Sequence, residues 1–362
     1  MANISLCMIV RNEEEVLARC LDSVKDLMDE IIIVDTGSTD RTKEIAIRYT
    51  DRIYDLEWTD DFAAARNYSF SLATQEYVMW LDADDFLREK DSEKLRELKQ
   101  TLDPEIDSVV MEYHLAFDGY DNPIAMSRRN RIVKRSRQFT WYNPVHEYLF
   151  IEGNVYLTDI AVTHGRVHQN TKRNLHILEK IIEKNGSVEG RDVLYYANEL
   201  ADTDRLVEAV EQYRRFLESP VDFFEDNLMA CARLSACYHQ LGNYELKLQA
   251  LLQSMAYDIP RADFCCSIGQ CFVDKEEFSK AIYWFKQAIA QDEVPNHFGV
   301  LNLICWTWYP HFQLCICYGM EGELELAYEH NEKALKYLPD DQNLLENKNK
   351  LEQALGMGGK PG

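Results

Sequence analysis

Five apolar residues run directly into a cluster of carboxylates in the segment Tyr77-Val78-Met79-Trp80-Leu81-Asp82-Ala83-Asp84-Asp85. An unbroken apolar run of this length is typical of a strand that is buried on both faces of a parallel sheet. Because carboxylates are costly inside such a strand, we expect the aspartates just beyond its carboxyl end, where open α/β sheets bind ligands. Asp82 and Asp84 are two positions apart, so their side chains point the same way in extended chain.

Two converging carboxylates repel each other unless a cation lies between them. Their hard oxygen atoms suit Mg²⁺ or Mn²⁺, and Mg²⁺ commonly bridges carboxylates to substrate phosphates. The segment therefore predicts a divalent-metal site for a phosphorylated donor, held by Asp82 and Asp84. With 62 acidic residues in the chain, the same triplet also arises by chance in a solvated turn, so its neighbours have to decide between the two interpretations.

Three further short apolar runs precede this segment, at residues 4–10, 31–34 and 53–56, and segments with helical periodicity lie between them. The alternation of strand and helix predicts right-handed βαβ crossovers and a parallel sheet. We expect Asn12 to cap the first of these helices and the pair Asp60-Asp61 to precede the third.

The loops at the carboxyl ends of these strands carry unusual residues. Arg11, Asn12 and Glu13 follow the first strand, and Asp35-Thr36-Gly37-Ser38-Thr39-Asp40 follows the second. By the sheet-edge rule, these loops and the aspartate cluster face one crevice. Gly37 permits a turn with positive φ, but the glycine spacing fits neither a dinucleotide fingerprint nor a Walker loop. A plain turn with a helix cap is the alternative for this loop.

Four ordered motifs resemble family-2 glycosyltransferases with the GT-A fold, over about residues 3–170. The motifs are Ser5-Leu6-Cys7-Met8-Ile9-Val10-Arg11-Asn12-Glu13-Glu14, Ile33-Val34-Asp35-Thr36-Gly37-Ser38-Thr39-Asp40-Arg41-Thr42, Asp61-Phe62-Ala63-Ala64-Ala65-Arg66-Asn67 and Trp80-Leu81-Asp82-Ala83-Asp84-Asp85. The resemblance implies an α/β, Rossmann-like domain that transfers a sugar from a nucleotide diphosphate with inversion, using a divalent metal held at D-x-D.

The resemblance also implies roles for single residues in nucleotide-sugar binding. Asp35 would accept from the base, with the loop Arg11-Asn12-Glu13 beside the base and ribose. Arg66 would lie near the base or the diphosphate, because a guanidinium suits phosphate oxygens, although a surface ion pair is its alternative. Asp82 and Asp84 match the pair that reaches ribose and metal. Asp85 is less certain and alternatively caps the helix that follows.

Inverting transfer also needs a base that takes the proton of the acceptor. Val145-His146-Glu147 resembles a motif that follows D-x-D in glycosyltransferases of this subtype. We therefore predict Glu147 as the base, with His146 as its neighbour or substitute. The alternative is an exposed glutamate and a hydrogen-bonded histidine on a strand.

Many enzymes of this fold place a late histidine on the metal, and imidazole is a reasonable ligand of Mn²⁺. His164 is the candidate for this position, His168 is the reserve, and a satisfied core or surface histidine is the alternative. The expected metal ligands are therefore Asp84, Asp82 and His164.

A basic island opposes the acidic trend of the chain and comprises Arg128, Arg129, Arg131, Lys134, Arg135 and Arg137. Arg129 and Arg131 could meet a diphosphate or an acidic acceptor. The alternative is a solvated edge strand, in which the charges also discourage edge pairing.

The composition excludes some classes of function. The formal net charge of −23 argues against nucleic acid as the main partner, because a protein that neutralises phosphates needs a basic face. We expect neither a signal peptide nor a transmembrane segment, because the first apolar run is short and no long apolar stretch exists. The ten cysteines show neither metal spacing nor a disulfide frame, which favours a reducing cytoplasm.

Helical periodicity replaces the strand signals from Thr171 to about Leu355, with a degenerate repeat that resembles the tetratricopeptide pattern. The matching positions are Leu200, Ala209, Tyr213, Tyr238, Gly242, Tyr244, Leu251, Gly269, Phe272, Ala281, Phe285, Ala288, Tyr318, Gly322, Ala327, Ala334 and Pro339. Small residues let paired helices approach, and aromatic residues fill the gaps between repeats. We expect an insertion near residues 296–307. An irregular helical bundle is the alternative.

The predicted organisation is a GT-A domain at residues 1–170, a tetratricopeptide-like array at 171–355 and a flexible tail at 356–362. This combination resembles cytoplasmic enzymes that glycosylate bacteriocin-type peptides. It implies a UDP-sugar donor, Mg²⁺ or Mn²⁺, and transfer of a hexose to a Cys thiol or Ser hydroxyl of a peptide or protein. A homodimer is plausible. An envelope glycan or lipid-linked acceptor is the alternative, and a scaffold with a nucleotide-sensing domain is the non-enzyme alternative.

Overall fold

The computed structural model describes residues 1–165, 172–291 and 298–357. The chain divides into two compact units, of which the first runs from Met1 to Ser187 and the second begins at Val188. The first unit thus extends past the boundary expected at residue 170, because helix α5 (Arg173–Asn185) belongs to it. Lys180 of this helix pairs with Asp60 at 2.6 Å, and contacts of this kind hold α5 on the first unit.

The first unit alternates strands and helices along its first half. Its strands are β1 (Ile4–Val10), β2 (Glu30–Asp35), β3 (Ile53–Asp55), β4 (Tyr77–Trp80), β5 (Asp85–Leu87), β6 (Ser108–Phe117), β7 (Pro123–Lys134), β8 (Trp141–Tyr142), β9 (Tyr148–Leu149) and β10 (Val155–His164). Its helices are α1 (Leu17–Val24), α2 (Thr42–Ala46), α3 (Phe62–Ser71), α4 (Glu89–Thr101) and α5. The strands predicted near residues 4–10, 31–34, 53–56 and 77–81 are therefore confirmed.

One mixed sheet organises the first unit, with strands in the order β3-β2-β1-β4-β7-β6-β10-β5, while β8 and β9 form a separate hairpin. β1 is parallel to both β2 and β4, whereas β7 is antiparallel to β4 and β6. The chain moves from β1 outward to β2 and β3 and then returns to place β4 on the other side of β1. The carboxyl ends of β1 and β4 therefore flank a topological switch point, where sheets of this kind bind ligands.

The apolar side chains of α1 pack into the core, since Leu17, Leu21 and Val24 are fully buried. The predicted cap of this helix is wrong, because α1 begins only at Leu17 and Asn12 lies upstream in a left-handed conformation with φ 56°. The third helix is capped as expected: the Asp61 carboxylate accepts from the backbone N–H of the residue at 64 at 2.8 Å.

Four residues of the basic island, Arg128, Arg129, Arg131 and Lys134, lie on a central strand, and Arg135 and Arg137 follow it in a short 3-10 helix, so the edge-strand interpretation is wrong. β7 pairs with β4 on one side and with β6 on the other. Arg131 is completely buried and pairs with Asp85 at 2.9 Å, which also makes it unavailable to a diphosphate. Lys134 and Arg135 donate to the backbone carbonyls of residues 104 and 75. These basic side chains therefore serve the fold.

The second unit consists mainly of helices. They are α6 (Arg191–Asp202), α7 (Leu206–Glu218), α8 (Phe224–Gln240), α9 (Tyr244–Gln253), α10 (Ala262–Val273), α11 (Phe278–Ile289), α12 (Trp308–Glu321), α13 (Leu324–Leu335) and α14 (Gln342–Ala354), with a short strand β11 (Leu301–Asn302) before α12. The expected insertion coincides with the connection from α11 to α12, of which residues 298–307 are described. Among the described helices, none is both long and apolar enough to cross a membrane.

The small and aromatic residues of the repeat pattern lie at the contacts between helices. Ala281 and Phe285 of α11 have no exposed surface, and neither has Ala327 of α13. Gly269 of α10 faces Phe285 so closely that an added Cβ would lie 2.9 Å from ring atoms of the phenylalanine. The second unit is therefore a tetratricopeptide-like helical array, in which the glycine allows two helices to approach.

This contact predicts the cost of a single methyl group. The variant Gly269→Ala should destabilise the second unit by about 1–3 kcal/mol, because its Cβ collides with a buried ring. Gly319→Ala is the matched control, since it lies in α12 with open space around it and should gain up to about 1 kcal/mol of helix propensity. Thermal unfolding followed by circular dichroism compares the two. Equal melting temperatures would contradict this packing.

Candidate active site

Asp35 lies at the carboxyl end of β2 and offers one unused acceptor. It is buried, and its Oδ1 accepts from the backbone N–H groups of Gly37 and Ser38, both at 2.9 Å. Its Oδ2 is also buried and has no hydrogen-bond partner among the described residues. A buried acceptor without a partner is costly, so this oxygen suits an external N–H donor.

Hydrogen bonds tie the loop after β1 to the loop after β2. The Asn12 carboxamide oxygen accepts from the backbone N–H of Thr39 at 2.8 Å, and the backbone N–H of Asn12 donates to Ser38 Oγ at 2.9 Å. The backbone N–H of Glu13 donates to Thr42 Oγ1 at 2.7 Å. Asn12 therefore joins two loops of the crevice.

Two further residues of the first loop differ in their surroundings. The pKa of Glu13 is raised to about 7, first by burial and then by the negative charges of Asp84 and Asp82. Glu13 thus belongs electrostatically to the aspartate cluster. The side chain of Arg11 is exposed, and the structure gives it no assigned role.

Asp85 anchors the aspartate cluster in the sheet, so its predicted role as a helix cap is wrong. It opens β5, whereas the N-cap of α4 is Arg88. Asp85 and Arg131 pair at 2.9 Å with both side chains fully buried, and Asp85 Oδ2 accepts from the backbone N–H of Asp82 at 3.2 Å. The Arg131 guanidinium also lies 4.1 Å from the centre of the Trp80 ring. The buried Asp85–Arg131 pair therefore holds the loop that carries Asp82 and Asp84 against the sheet.

Asp84, Asp85 and His164 form a group suited to a divalent cation. One ligand atom from each lies within 4.8 Å of the other two. His164 Nδ1 is 3.7 Å from Asp84 Oδ2 and 3.6 Å from Asp85 Oδ1, and the Tyr113 hydroxyl is 2.8 Å from the same nitrogen. Two carboxylates and an imidazole are a reasonable donor set for Mn²⁺, so these residues fit the divalent metal that the sequence predicts.

The negative charges of Asp82, Asp84 and Asp85 surround this group and would attract a cation. Burial raises the pKa of Asp84, and the neighbouring charges of Asp85 and Asp82 raise it further. Burial opposes the charge of His164, but a hydrogen bond to Asp85 and the negative charges around it raise its pKa. The reserve candidate His168 lies outside the described residues.

Arg66 lies between two of the predicted site residues, Asp82 and Glu147. Its Nη2 donates to Asp82 Oδ1 at 2.7 Å, and its Nε donates to Glu147 Oε1 at 2.6 Å. Its guanidinium is buried. It lies 4.8 Å from the ring centre of Trp80 and 5.0 Å from the ring centre of Trp141. The interpretation of Arg66 as a surface residue is therefore wrong.

Asp82 thus faces a protein cation, and it does not belong to the group of possible metal ligands within the described chain. Burial opposes its charge, but Arg66 and Arg131 outweigh this effect and lower the pKa of the Asp82 carboxyl. Its expected part in holding a metal stays a prediction, whereas Asp84 and His164 are brought together.

Glu147 enters the crevice on the connection between β8 and β9. Asn67 fixes this hairpin to α3, because its side chain exchanges two hydrogen bonds with the backbone of Trp141, at 2.8 and 2.9 Å. His146 has a φ of 54°, which is uncommon outside glycine and turns the chain just before Glu147. The Glu147 side chain is only 13% exposed and ends at Arg66, so the interpretation as an exposed glutamate on a strand is wrong.

Sequence reasoning missed the supporting roles of Arg131, Tyr113 and Asp85. Arg131 lies in a run of three consecutive buried residues, Arg131, Ile132 and Val133, so no alternation along β7 marks it as inward-facing. No pattern in the sequence indicates which carboxylate the arginine would meet, because Asp85 lies on another strand.

Residues 5–150 match the model of the family described as glycosyl transferase family 2. The chain is 40% identical over 148 residues to a TPR repeat-containing protein of Synechococcus elongatus, covering 41% of this chain and 35% of that protein. It is 27% identical over 271 residues to the SPbeta prophage-derived glycosyltransferase SunS of Bacillus subtilis, covering 70% of this chain and 62% of SunS. The chain therefore spans between about a third and three fifths of the length of these curated relatives.

The lipopolysaccharide core biosynthesis glycosyltransferase LpsC of Rhizobium meliloti is 30% identical over 159 residues, covering 42% of this chain and 58% of LpsC. Among solved structures, YrrB, titled a TPR protein with an unusual peptide-binding site, gives a TM-score of 0.38 at 18% identity. That likeness covers 49% of this chain and 84% of YrrB.

The double ion pair of Arg66 predicts a large effect on stability. Arg66→Met should destabilise the first unit by about 3–5 kcal/mol, because it leaves two carboxylates without their buried partner. The matched control is Arg41→Met, whose pair with Glu44 is about 70% exposed on both sides and should matter little. Urea unfolding of both variants and the parent chain measures the difference. A loss for Arg66→Met no larger than for the control would contradict the assigned contacts.

Proposed function

We propose that this protein is an inverting, metal-dependent glycosyltransferase, and the match of residues 5–150 to the glycosyl transferase family 2 model supports the proposal. It would move a hexose from a UDP-sugar to a Cys thiol or Ser hydroxyl of a peptide or protein. The observation that carries the proposal is the set of contacts among the predicted site residues. Arg66 pairs with both Asp82 and Glu147, Asp84 lies beside His164, and Asp35 ends β2 with a buried oxygen that has no partner among the described residues.

The donor would bind through Asp35 and through the aspartates that follow β4. The free Oδ2 of Asp35 would accept from an N–H of the base, while Asp82 would reach the ribose. Asp84 and His164 would hold the cation, with Asp85 beneath them. When bound there, a divalent cation supplies positive charge that stabilises the departing diphosphate.

Glu147 would take the proton of the acceptor in a single displacement. The acceptor sulfur or oxygen forms a bond to the anomeric carbon as the bond to the diphosphate breaks, and the proton moves to the Glu147 carboxylate. Arg66 holds this carboxylate at 2.6 Å and so fixes its direction before substrate arrives. His146, the residue before Glu147, would position it through the turn that its backbone makes with a φ of 54°.

The peptide or protein acceptor is supported by the second unit. Tetratricopeptide arrays present concave surfaces that bind peptides or proteins, and the array here would bind the acceptor. With a formal charge of −23, the protein would also attract a cationic peptide. A second candidate is a glycan acceptor of the envelope, which the similarity of the chain to LpsC favours.

Intact-mass analysis tests the activity. The full chain is mixed with UDP-hexose, Mn²⁺ and a panel of Cys- or Ser-containing peptides, and one hexose should be gained. Asp84→Asn should lower the rate at least about 100-fold, because a ligand of the cation is lost. Asp159→Asn is the control, since that carboxylate is 79% exposed in a surface pair with Lys94. Absence of transfer to every peptide, together with transfer to an envelope glycan, would favour the second candidate.

The dependence on Glu147 should reveal the acceptor atom. Glu147→Gln should slow transfer to a Ser hydroxyl about 10²–10⁴-fold, because general base catalysis commonly contributes this factor. Transfer to a Cys thiol should fall much less, because a thiol loses its proton far more easily. Rates with paired peptides that differ only in Cys or Ser give the comparison, and UDP affinity checks that the donor site is intact. Unchanged rates with both peptides would exclude Glu147 as the base.

A further inference from the structure

Two distant segments of the chain meet at the candidate cation site. Asp84 follows β4, and His164 ends β10. The backbone N–H of Gly165 donates to the backbone carbonyl of Asp84 at 2.8 Å, which joins the two segments directly beside their ligand side chains. The separation of Asp84 and His164 therefore depends on this junction as well as on the pairing of β10 with β5, in which His164 lies opposite Asp85.

Arg19 of α1 reaches both sides of the junction. Its Nη2 donates to the Gly165 carbonyl at 2.7 Å and lies 3.4 Å from the Asp84 carbonyl. Its guanidinium also lies 4.7 Å from the centre of the Phe86 ring. A planar guanidinium can stack on a ring and donate in its own plane at the same time, which a lysine ammonium cannot do.

Gly165 leaves the room that Arg19 occupies. A Cβ at Gly165 would lie 2.1 Å from Arg19 Nη2 and 2.6 Å from its Cζ. Any side chain at this position would therefore displace the guanidinium. The Arg19 guanidinium can reach the junction only because residue 165 has no side chain.

Two other residues of α1, Cys20 and Ser23, contact the same loop and the strand that follows it. Cys20 Sγ lies 3.6 Å from the Asp82 carbonyl, and the backbone N–H of Leu87 donates to Ser23 Oγ at 3.1 Å. The opposite face of α1 is anchored in the core through Leu17 and Leu21, which are fully buried. The helix is thus a fixed support from which side chains hold the acidic loop at both ends.

We propose that Arg19 and Gly165 are positioning residues that set the distance between Asp84 and His164 and thereby the affinity of the site for Mn²⁺. The inference rests on the proposed metal-dependent function. Neither residue supplies a ligand atom. Without the guanidinium, the pairing of His164 with Asp85 in the β10–β5 ladder remains, but beyond it the junction keeps a single backbone hydrogen bond, so Asp84 is held less firmly beside His164.

Mn²⁺ binding by the full chain tests this role without any turnover. The signal of free Mn²⁺ in electron paramagnetic resonance is titrated with the parent chain, Arg19→Met, Arg19→Lys and Gly165→Ala. We expect affinities about 10–100-fold weaker in all three variants, which is the usual cost of losing support around a ligand. Arg48→Met is the matched control, since Arg48 is exposed like Arg19 but does not contact the junction, and the variant should leave the affinity unchanged.

Two further measurements separate a positioning role from a general loss of structure. UDP binding in the presence of a chelator should be the same in parent and variants, and melting temperatures should agree within a few degrees. Variants that bind Mn²⁺ as tightly as the parent would overturn the inference. If Arg19→Met does not fold, Gly165→Ala decides, because it removes the contact while keeping the arginine. A parent chain that binds no Mn²⁺ would instead contradict the metal dependence of the proposed function.

Discussion

The structure depends on how the protein tolerates several carboxylates at one edge of its sheet. Asp82, Asp84 and Asp85 lie within a stretch of four residues. Their negative charges repel each other strongly where the surroundings are poorly solvated. Two buried guanidinium groups offset this repulsion. Arg131 pairs with Asp85, and Arg66 pairs with Asp82.

These two pairs leave Asp84 without an arginine partner among the described residues. Asp84 lies next to His164 instead, and the buried Oδ1 of Asp85 has no hydrogen-bond partner in the described part of the chain. A site whose neighbours already have partners is organised before its ligand arrives. Such preorganisation stabilises charge that develops during a reaction, because the surrounding groups need not move.

Arg66 also links two of the candidate site residues, because it contacts both Asp82 and Glu147. A ligand that draws Asp82 away from the guanidinium would leave Glu147 as its main partner. Under the proposed function, donor binding and the position of the candidate base would therefore be coupled through one buried cation, and the rings of Trp80 and Trp141 keep that cation in place.

The sequence by itself determined the elements and their order. Apolar runs with aspartates at their ends indicated the strands, the edge of the sheet and the crevice, because period and composition are local properties of the chain. The repeat pattern likewise indicated the helical array, and Gly269 and Phe285 meet as its spacing requires. These features depend on near neighbours in the sequence, which a single chain reveals.

Only the tertiary structure decided which charges meet. Arg131 looked like part of a solvated strand, yet the pairing of β7 with β4 and β6 buries it against Asp85. Arg66 and Glu147 are separated by 81 residues along the chain, and Arg19 and Gly165 by 146. Partners so far apart are chosen by strand order and helix placement, since any of the many charged residues could satisfy the same local pattern.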